Sequence, residues 1–539
     1  MIREQYPFFQ LDTEHTSYCF RVTETGHLEH LHYGRKITSG ENLTESLAIF
    51  AEKHAFAPGN TNVYDKEHPE FSLEDIRLEM SSYGKGDIRE PFVEILHGDG
   101  SFTSDFRYEK AEITKGKAEF QTLPGSYDEN DEVEHLCVTL KDAAYGLVLE
   151  LHYYVYEKCD VIARSARLLN ESDETVQIKR LMSTQLDFDM ETLVCTTFHG
   201  AWAREMKRTD VCLHGGKYVN ESYTGTSSSR TNPFVMLAET GTNEDSGACY
   251  GINLIYSGNH YEAMEVSGYG ETRFVAGINP QSFSWQLEPG ATFEAPEAVM
   301  VYSPLGYNGM SQCMHRFVRE HIVRGTWKKK TRPVLLNSWE ASYFDINERK
   351  LLALAKAGKE AGIELFVMDD GWFGERNDDK HSLGDWDVNP KKLPGGLSGI
   401  CEKVKALGLS FGIWVEPEMV NVDSRLYERH PDWTIEIPGH AHSEGRNQRI
   451  LDLTQTSVQD FIIAKMSEVF SSADISYVKW DMNRTFTDYY SRALPAGRQG
   501  EVAHRYVMGL YRCMKELTER FPEILFEGCS AGGWLRAQW

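Results

Sequence analysis

The chain has 539 residues, of which 41% are hydrophobic and 12% aromatic, and its formal net charge is −25. That length allows roughly three domains of about 150 residues each, with sizeable cores. So acidic a surface repels DNA, RNA and anionic membranes, which excludes a nucleic-acid or phosphoinositide partner and leaves a soluble enzyme with a neutral ligand as the broad class.

The first residues, MIREQYPFFQ, carry no apolar signal core, and no later apolar run is long enough to span a bilayer. The ten cysteines, scattered from Cys19 to Cys529, form no C-x-x-C pair, so neither a zinc ribbon nor a disulfide framework is expected. The expected location is the cytoplasm, with reduced thiols. The N-x-S/T matches at Asn42, Asn170 and Asn220 are then without a glycan.

Residues 1–305 read as β. SYCFRVT, the turn Glu24-Thr25-Gly26 and HLEHLHYG form a hairpin pattern, and HLCVTL, LVLELHYYVY and VIARSARLLN follow with turn signals between them. Short strands at this spacing predict a large antiparallel sandwich. His27, His30 and His32 invite a metal reading, with His30 and His32 on one strand face. No third ligand stands nearby, so exposed strand histidines are expected instead. MSQCMHRFVREHIVRGTW, Met310 to Trp327, is helical in character and runs into KKKTRP, so residues 306–333 are expected to be a linker helix.

The rhythm changes at residue 334. Apolar runs in VLLNSW, IELFVMDD, LSFGIWVEPE, RILDLT, ISYVKWDMN and EILFEGCS alternate with helical stretches such as NERKLLALAKAGKEAG and EVAHRYVMGLYRCMKELTERFP. Continuous apolar strands separated by helices predict a parallel sheet covered on both faces. No Gly-rich phosphate loop follows the first strand, which disfavours a doubly wound sheet. The expectation is an incomplete (β/α)8 TIM barrel over 334–539, with about six of eight strands, whose site lies where the strands end.

The strand ends are where polar residues gather: Trp339, Asp369 and Asp370, Trp414 with Glu416 and Glu418, Asp452, Asp481, and Glu527 with Cys529. In YVKWDMNR, Lys479, Asp481 and Asn483 alternate, so they are expected to share one face. A cation beside Asp481 lowers its pKa and suits a nucleophile better than an acid. Arg446 and Asn447 lie in the loop before RILDLT. Taken singly, each has a structural explanation: Asp369-Asp370 as a helix cap or Mg²⁺ site, the tryptophans as core, Cys529 as a small buried hydrophobe. Carboxylates, indoles and a cation converging on one rim favour a sugar pocket, because carboxylates accept from hydroxyl pairs and indole faces cover the apolar side of a pyranose.

LNSWEASYF, VMDDGWFGER, LGDW, GIWVEPEMV, YVKWDMNR, RQGEVAHRYVMGLYR and LFEGCSAGG, in that order, closely resemble the α-galactosidases of glycoside hydrolase family 36. The N-terminal half resembles that family's β-supersandwich with looser motifs. The resemblance implies a retaining hydrolase of terminal nonreducing α-galactosyl groups, as in melibiose and raffinose, with no metal or organic cofactor. It implies Asp481 as nucleophile, Asp369 and Asp370 on the galactose 4- and 6-hydroxyls, and Trp339, Trp414, Arg446, Lys479, Asn483, Cys529 and Gly532 around the same pocket. It also implies a homotetramer at full length.

One departure stands out. The family continues EGCS-x-GGG-R-F-D and later presents its acid/base in W-x-S-D-D-x-D. This chain reads EGCSAGGWLRAQW, as a frameshift or truncated gene would give. The acid/base is therefore expected to be absent, since Asp369, Asp370, Glu416 and Glu527 do not match its position. An α-N-acetylgalactosaminidase, a galactosyl-transferring relative of the raffinose-synthase type and a non-catalytic sugar-binding remnant are the alternatives.

Overall fold

The computed structural model describes residues 1–51 and 62–530. The chain divides into two compact units. The first holds 1–200, 206–223 and 230–322; the second holds 323–539 together with 201–205 and 224–229.

The first unit is built of antiparallel sheets, as the short alternating strands predict. Thr16–Val22 pairs with Leu28–Arg35 in a four-stranded sheet, and Glu134–Asp142, Leu147–Tyr156 and Val161–Asn170 are consecutive neighbours in a ten-stranded one. A six-stranded sheet is organised around the 13-residue strand Val176–Phe188. The histidine expectation fails. His30 is buried with Nδ1 2.6 Å from Glu79, and His27 is buried against Thr25 and Asp105. A bulge in the hairpin sets Cys19 opposite His32 but Phe20 opposite His30, which breaks the alternation that would have put both on one face. Carboxylates in the core, invisible from the local pattern, are what drew these rings inward.

The expected linker helix is Gly306–Phe317, followed by a π-helical turn at Val318–Ile322 and a 3₁₀ turn at Thr326–Lys328.

The second unit contains five parallel strands in the order Leu335–Asn337, Leu365–Met368, Ser410–Val415, Tyr477–Trp480 and Leu525–Gly528. Each strand neighbours the next in sequence, without the reversal of order that defines a doubly wound sheet. The sheet is a curled half-barrel. Helices Glu348–Glu360, Gly396–Ala406, Thr456–Ser471 and Val502–Arg520 fill the crossovers. The last of these buries Val502, Tyr506, Val507, Leu510, Cys513, Met514 and Leu517, an apolar stripe at helical spacing. Gly412 lets the fourth strand approach, since a Cβ there would lie 2.7 Å from the Tyr477 ring.

The expectation of about six barrel strands is corrected to five among the described residues. Of RILDLT only Arg449 and Ile450 lie in a strand, Gln448–Ile450, which pairs antiparallel with Met419–Asn421 outside the parallel sheet. Leu451 and Leu453 are buried beneath the turn that enters the third helix, so the run is apolar for packing reasons unrelated to the sheet.

Candidate active site

The C-terminal ends of the second, third and fourth strands deliver Asp369-Asp370, Trp414 and Asp481 to one rim. Asp481 follows the last residue of its strand and is buried, and its backbone N–H donates to Val415 O at 2.8 Å. Its Oδ2 accepts from Trp414 Nε1 at 2.9 Å and from Asn483 Nδ2 at 2.8 Å, and its Oδ1 accepts from the Met482 N–H at 3.0 Å. Cys529 adds a hydrogen bond, and burial, with the Asp481 charge, pushes its thiol up to about 12. A thiol so held is a donor to the carboxylate and is no nucleophile. All these donors are neutral.

Lys479 does not pair with Asp481 as the alternation suggested. Its Nζ donates to Asp369 Oδ2 at 2.9 Å. In a barrel, side chains of alternate strands share a layer, and the second and fourth strands are alternate. Burial pulls the Lys479 pKa down, but the Asp369 carboxylate more than offsets it, so the ammonium is held above its ordinary range. Asp369 also accepts from Asn337 Nδ2 at 2.6 Å, and its backbone N–H is held by Ser338 Oγ.

Asp370 is gripped by Arg376, with Nε 3.0 Å from Oδ1 and Nη2 2.8 Å from Oδ2. Burial still holds the Asp370 pKa above the ordinary carboxylate range, against Arg376. The sequence reading missed Arg376. Its signal was weak: an arginine in a polar loop reads as solvated, yet this one is fully buried and also donates to Asn421 Oδ1 at 2.9 Å.

Glu416 lies fully buried beyond the third strand. Its Oε1 accepts from the Asn483 backbone N–H at 2.6 Å and its Oε2 from Gln448 Nε2 at 2.8 Å. Burial, with Asp481 nearby, pushes it up to about 8. Glu418 is buried between Trp480 Nε1 and the Tyr506 hydroxyl, a structural assignment.

Trp339 opens a short helix, its N–H held by Asn337 Oδ1, and its ring packs edge-on against Tyr343 and Phe344. Arg446 is exposed at a two-residue turn closed by Gln448 N–H to Gly445 O, with φ 52° at Arg446 and 58° at Asn447. Asn447 tolerates that left-handed conformation, whereas Arg446 holds it at a cost of order 1–3 kcal/mol. Gly532 lies outside the described residues. An open cleft of about 860 Å³ elsewhere in this unit, lined by His381, Asp385, Asp387 and Arg425 among others, includes none of the predicted residues.

Two family models cover most of the sequence: the glycosyl hydrolase family 36 N-terminal domain matches residues 26–288, and melibiase matches residues 292–537. The chain is 45% identical to α-galactosidase AgaA of Geobacillus stearothermophilus over 526 residues, 97% of this chain and 71% of that protein. The chain belongs to glycosyl hydrolase family 36. Another family member, α-galactosidase Mel36A of Lactobacillus acidophilus, is 40% identical over 98% of this chain and 72% of its own length. Among solved family 36 structures, α-galactosidase AgaB of Geobacillus stearothermophilus superposes with a TM-score of 0.95 at 42% identity, covering 99% of this chain and 73% of that one. A variant of AgaA solved in complex with stachyose superposes with a TM-score of 0.95 at 44% identity, covering 98% and 73%.

Proposed function

We propose that this chain works as a retaining α-galactosidase on terminal α-galactosides of the raffinose and stachyose type, with Asp481 as nucleophile. The observation that carries this reading is the setting of Asp481. Three neutral side chains, Trp414, Asn483 and Cys529, orient its carboxylate, and no lysine or arginine is bonded to it among the described residues. A carboxylate held by neutral donors keeps its nucleophilic lone pairs, whereas a bidentate arginine would occupy them. Lys479 and Arg376 hold the neighbouring pair instead, which suits Asp369 and Asp370 to fixed hydrogen bonds with sugar hydroxyls.

The reaction would open with attack of Asp481 on the anomeric carbon, forming a galactosyl ester as the aglycone oxygen leaves with the bonding pair. Water then attacks the same carbon from the vacated side and the ester bond breaks. A second carboxyl must protonate the departing oxygen. Asp369 and Asp370 are committed to their cations, and Glu416 is buried with both oxygens engaged, so none of the three suits that role.

The test of Asp481 is Asp481→Gly with added azide. Azide entering the vacated space should restore part of the rate and give a galactosyl azide of β configuration. A glycine variant as active as its parent would remove the assignment.

A further inference from the structure

In the first unit, the sequences His135-Leu-Cys137 and Glu150-Leu-His152 lie on neighbouring antiparallel strands, Glu134–Asp142 and Leu147–Tyr156. The register sets Cys137 opposite His152 and Thr139 opposite Glu150. Alternation then puts His135, Cys137, Glu150 and His152 on one face of the sheet, with the apolar residues between them on the other. All four are half-buried, which permits an ion to enter and still excludes most water. One donor atom from each of Cys137, Glu150 and His152 lies within 4.8 Å of the other two.

The ring orientation of His152 turns its Nε2 toward this group. Its Nδ1 is 2.9 Å from His135 Nε2, while its Nε2 is 3.6 Å from Glu150 Oε2. His135 Nδ1 is in turn 3.1 Å from Thr114 Oγ1. In the tautomer that a metal ion would select, His135 Nδ1–H donates to Thr114 Oγ1 and His135 Nε2 accepts from His152 Nδ1–H. The lone pair on His152 Nε2 then faces the Glu150 carboxylate and the Cys137 sulfur. An imidazole that donates from one nitrogen and ligates with the other is the usual arrangement behind a metal-bound histidine. Glu150 is also held by Arg167, but both Arg167 bonds end on Oε2, at 2.6 Å, which leaves Oε1 to an ion.

We propose that Cys137, Glu150 and His152 bind one divalent transition-metal ion of the zinc class, with His135 positioning His152 from behind. One sulfur, one nitrogen and one carboxylate oxygen make a donor set that suits zinc or cobalt and not magnesium or calcium. Three protein ligands leave a fourth tetrahedral position for water. The ion would pin adjacent strands together well away in sequence from Asp481, and the proposal does not depend on the glycosidase reading. Cys159, with Glu320 and His321 of the π-helical turn, forms a second group whose donor atoms also lie within 4.8 Å, so the test must separate the two.

The 539-residue chain, stripped of metal, is titrated with Co²⁺ under reducing conditions. The expected result is one Co²⁺ per chain with a thiolate-to-cobalt charge-transfer band in the near ultraviolet, bleached when Zn²⁺ is added. Cys137→Ser should abolish the band, His152→Gln should abolish tight binding, and His135→Phe should weaken it about 10–100-fold. Cys159→Ser should change nothing. Circular dichroism identifies any variant that fails to fold. For the unaltered chain, a Zn²⁺-dependent rise in Tm is a further expected result. Absence of the band, absence of that rise, survival of the band in Cys137→Ser, or its loss in Cys159→Ser would each overturn the proposal.

Discussion

Glu79 in the first unit and Glu416 in the second are both fully buried glutamates, and they end in opposite states. Glu79 accepts from the Tyr18 and Tyr153 hydroxyls at 2.7 Å, lies 2.6 Å from His30 and faces Arg164 at 3.3 Å. Burial raises its pKa, but Arg164 and the donors outweigh burial and hold it below the ordinary range. Asp87, clasped by Arg273 and Arg89, is lowered in the same way. Glu416 has two neutral donors and stays raised; Asp370 stays raised even with Arg376 around it. A buried carboxylate alone is therefore no mark of a site. A buried carboxylate whose charge the protein leaves incompletely compensated, at a strand end, is one. Glu262 is the exception in the first unit: burial raises it and Asn220 donates to it, but it lies mid-sheet with no strand end beside it.

The largest expected effect is at Asp481. Asp481→Asn should lower kcat/KM for a nitrophenyl α-galactoside on the order of 10⁴-fold or more while the unfolding midpoint barely moves. Steady-state kinetics beside urea denaturation decides it. A stability loss that matched the activity loss would place Asp481 with Glu79 as a structural group. Next is Arg164→Met, which leaves Glu79 buried and uncompensated and should cost about 3–5 kcal/mol in the first unit's unfolding transition. Turnover per folded molecule should hold. A cost under 1 kcal/mol would show that the hydroxyls alone satisfy Glu79, and the contrast would weaken.

Asp370→Asn comes third. It should raise the barrier for α-galactosides by about 2–4 kcal/mol, and the loss should be smaller for the 6-deoxy sugar, which cannot make the bond that is lost. Equal losses on both substrates would assign Asp370 to holding Arg376.

Much of the second unit was legible. Apolar runs bounded by acidic residues marked the strands, and Asp369, Asp370, Trp414 and Asp481 do meet at one rim. Three things were not. RILDLT has the composition of a strand, and only its partner, Met419–Asn421, reveals that it lies off the sheet. Lys479 bonds a residue 110 positions away, which local alternation cannot see. The burial of His30 depends on Glu79, 49 positions away. Period-two and period-3.6 patterns report which face is apolar; they do not report which buried charge meets which.

The smallest effect expected per unit of pH, and the sharpest probe of the contrast, is at Glu416. With its folded pKa pushed up to about 8, the folded chain keeps a proton that the unfolded chain gives up near the ordinary 4.5. The native state then binds more protons than the unfolded state across that window, so stability falls as pH rises from about 5 to 8 and levels off above. One group contributes at most about 1.4 kcal/mol per pH unit. The neutral acid needs an acceptor for its proton. Gln448 Oε1 is buried with no hydrogen-bond partner among the described residues, and turning that amide over would set it against Glu416 Oε2. The same turn would satisfy the amide of Glu416→Gln, so this variant should fold and bind the Asn483 N–H through its remaining oxygen. Subtracting its pH–stability curve from that of the parent should leave a single downward limb between pH 5 and 8. A flat difference would mean that Glu416 ionises normally where it stands, and that it belongs with Glu79 after all.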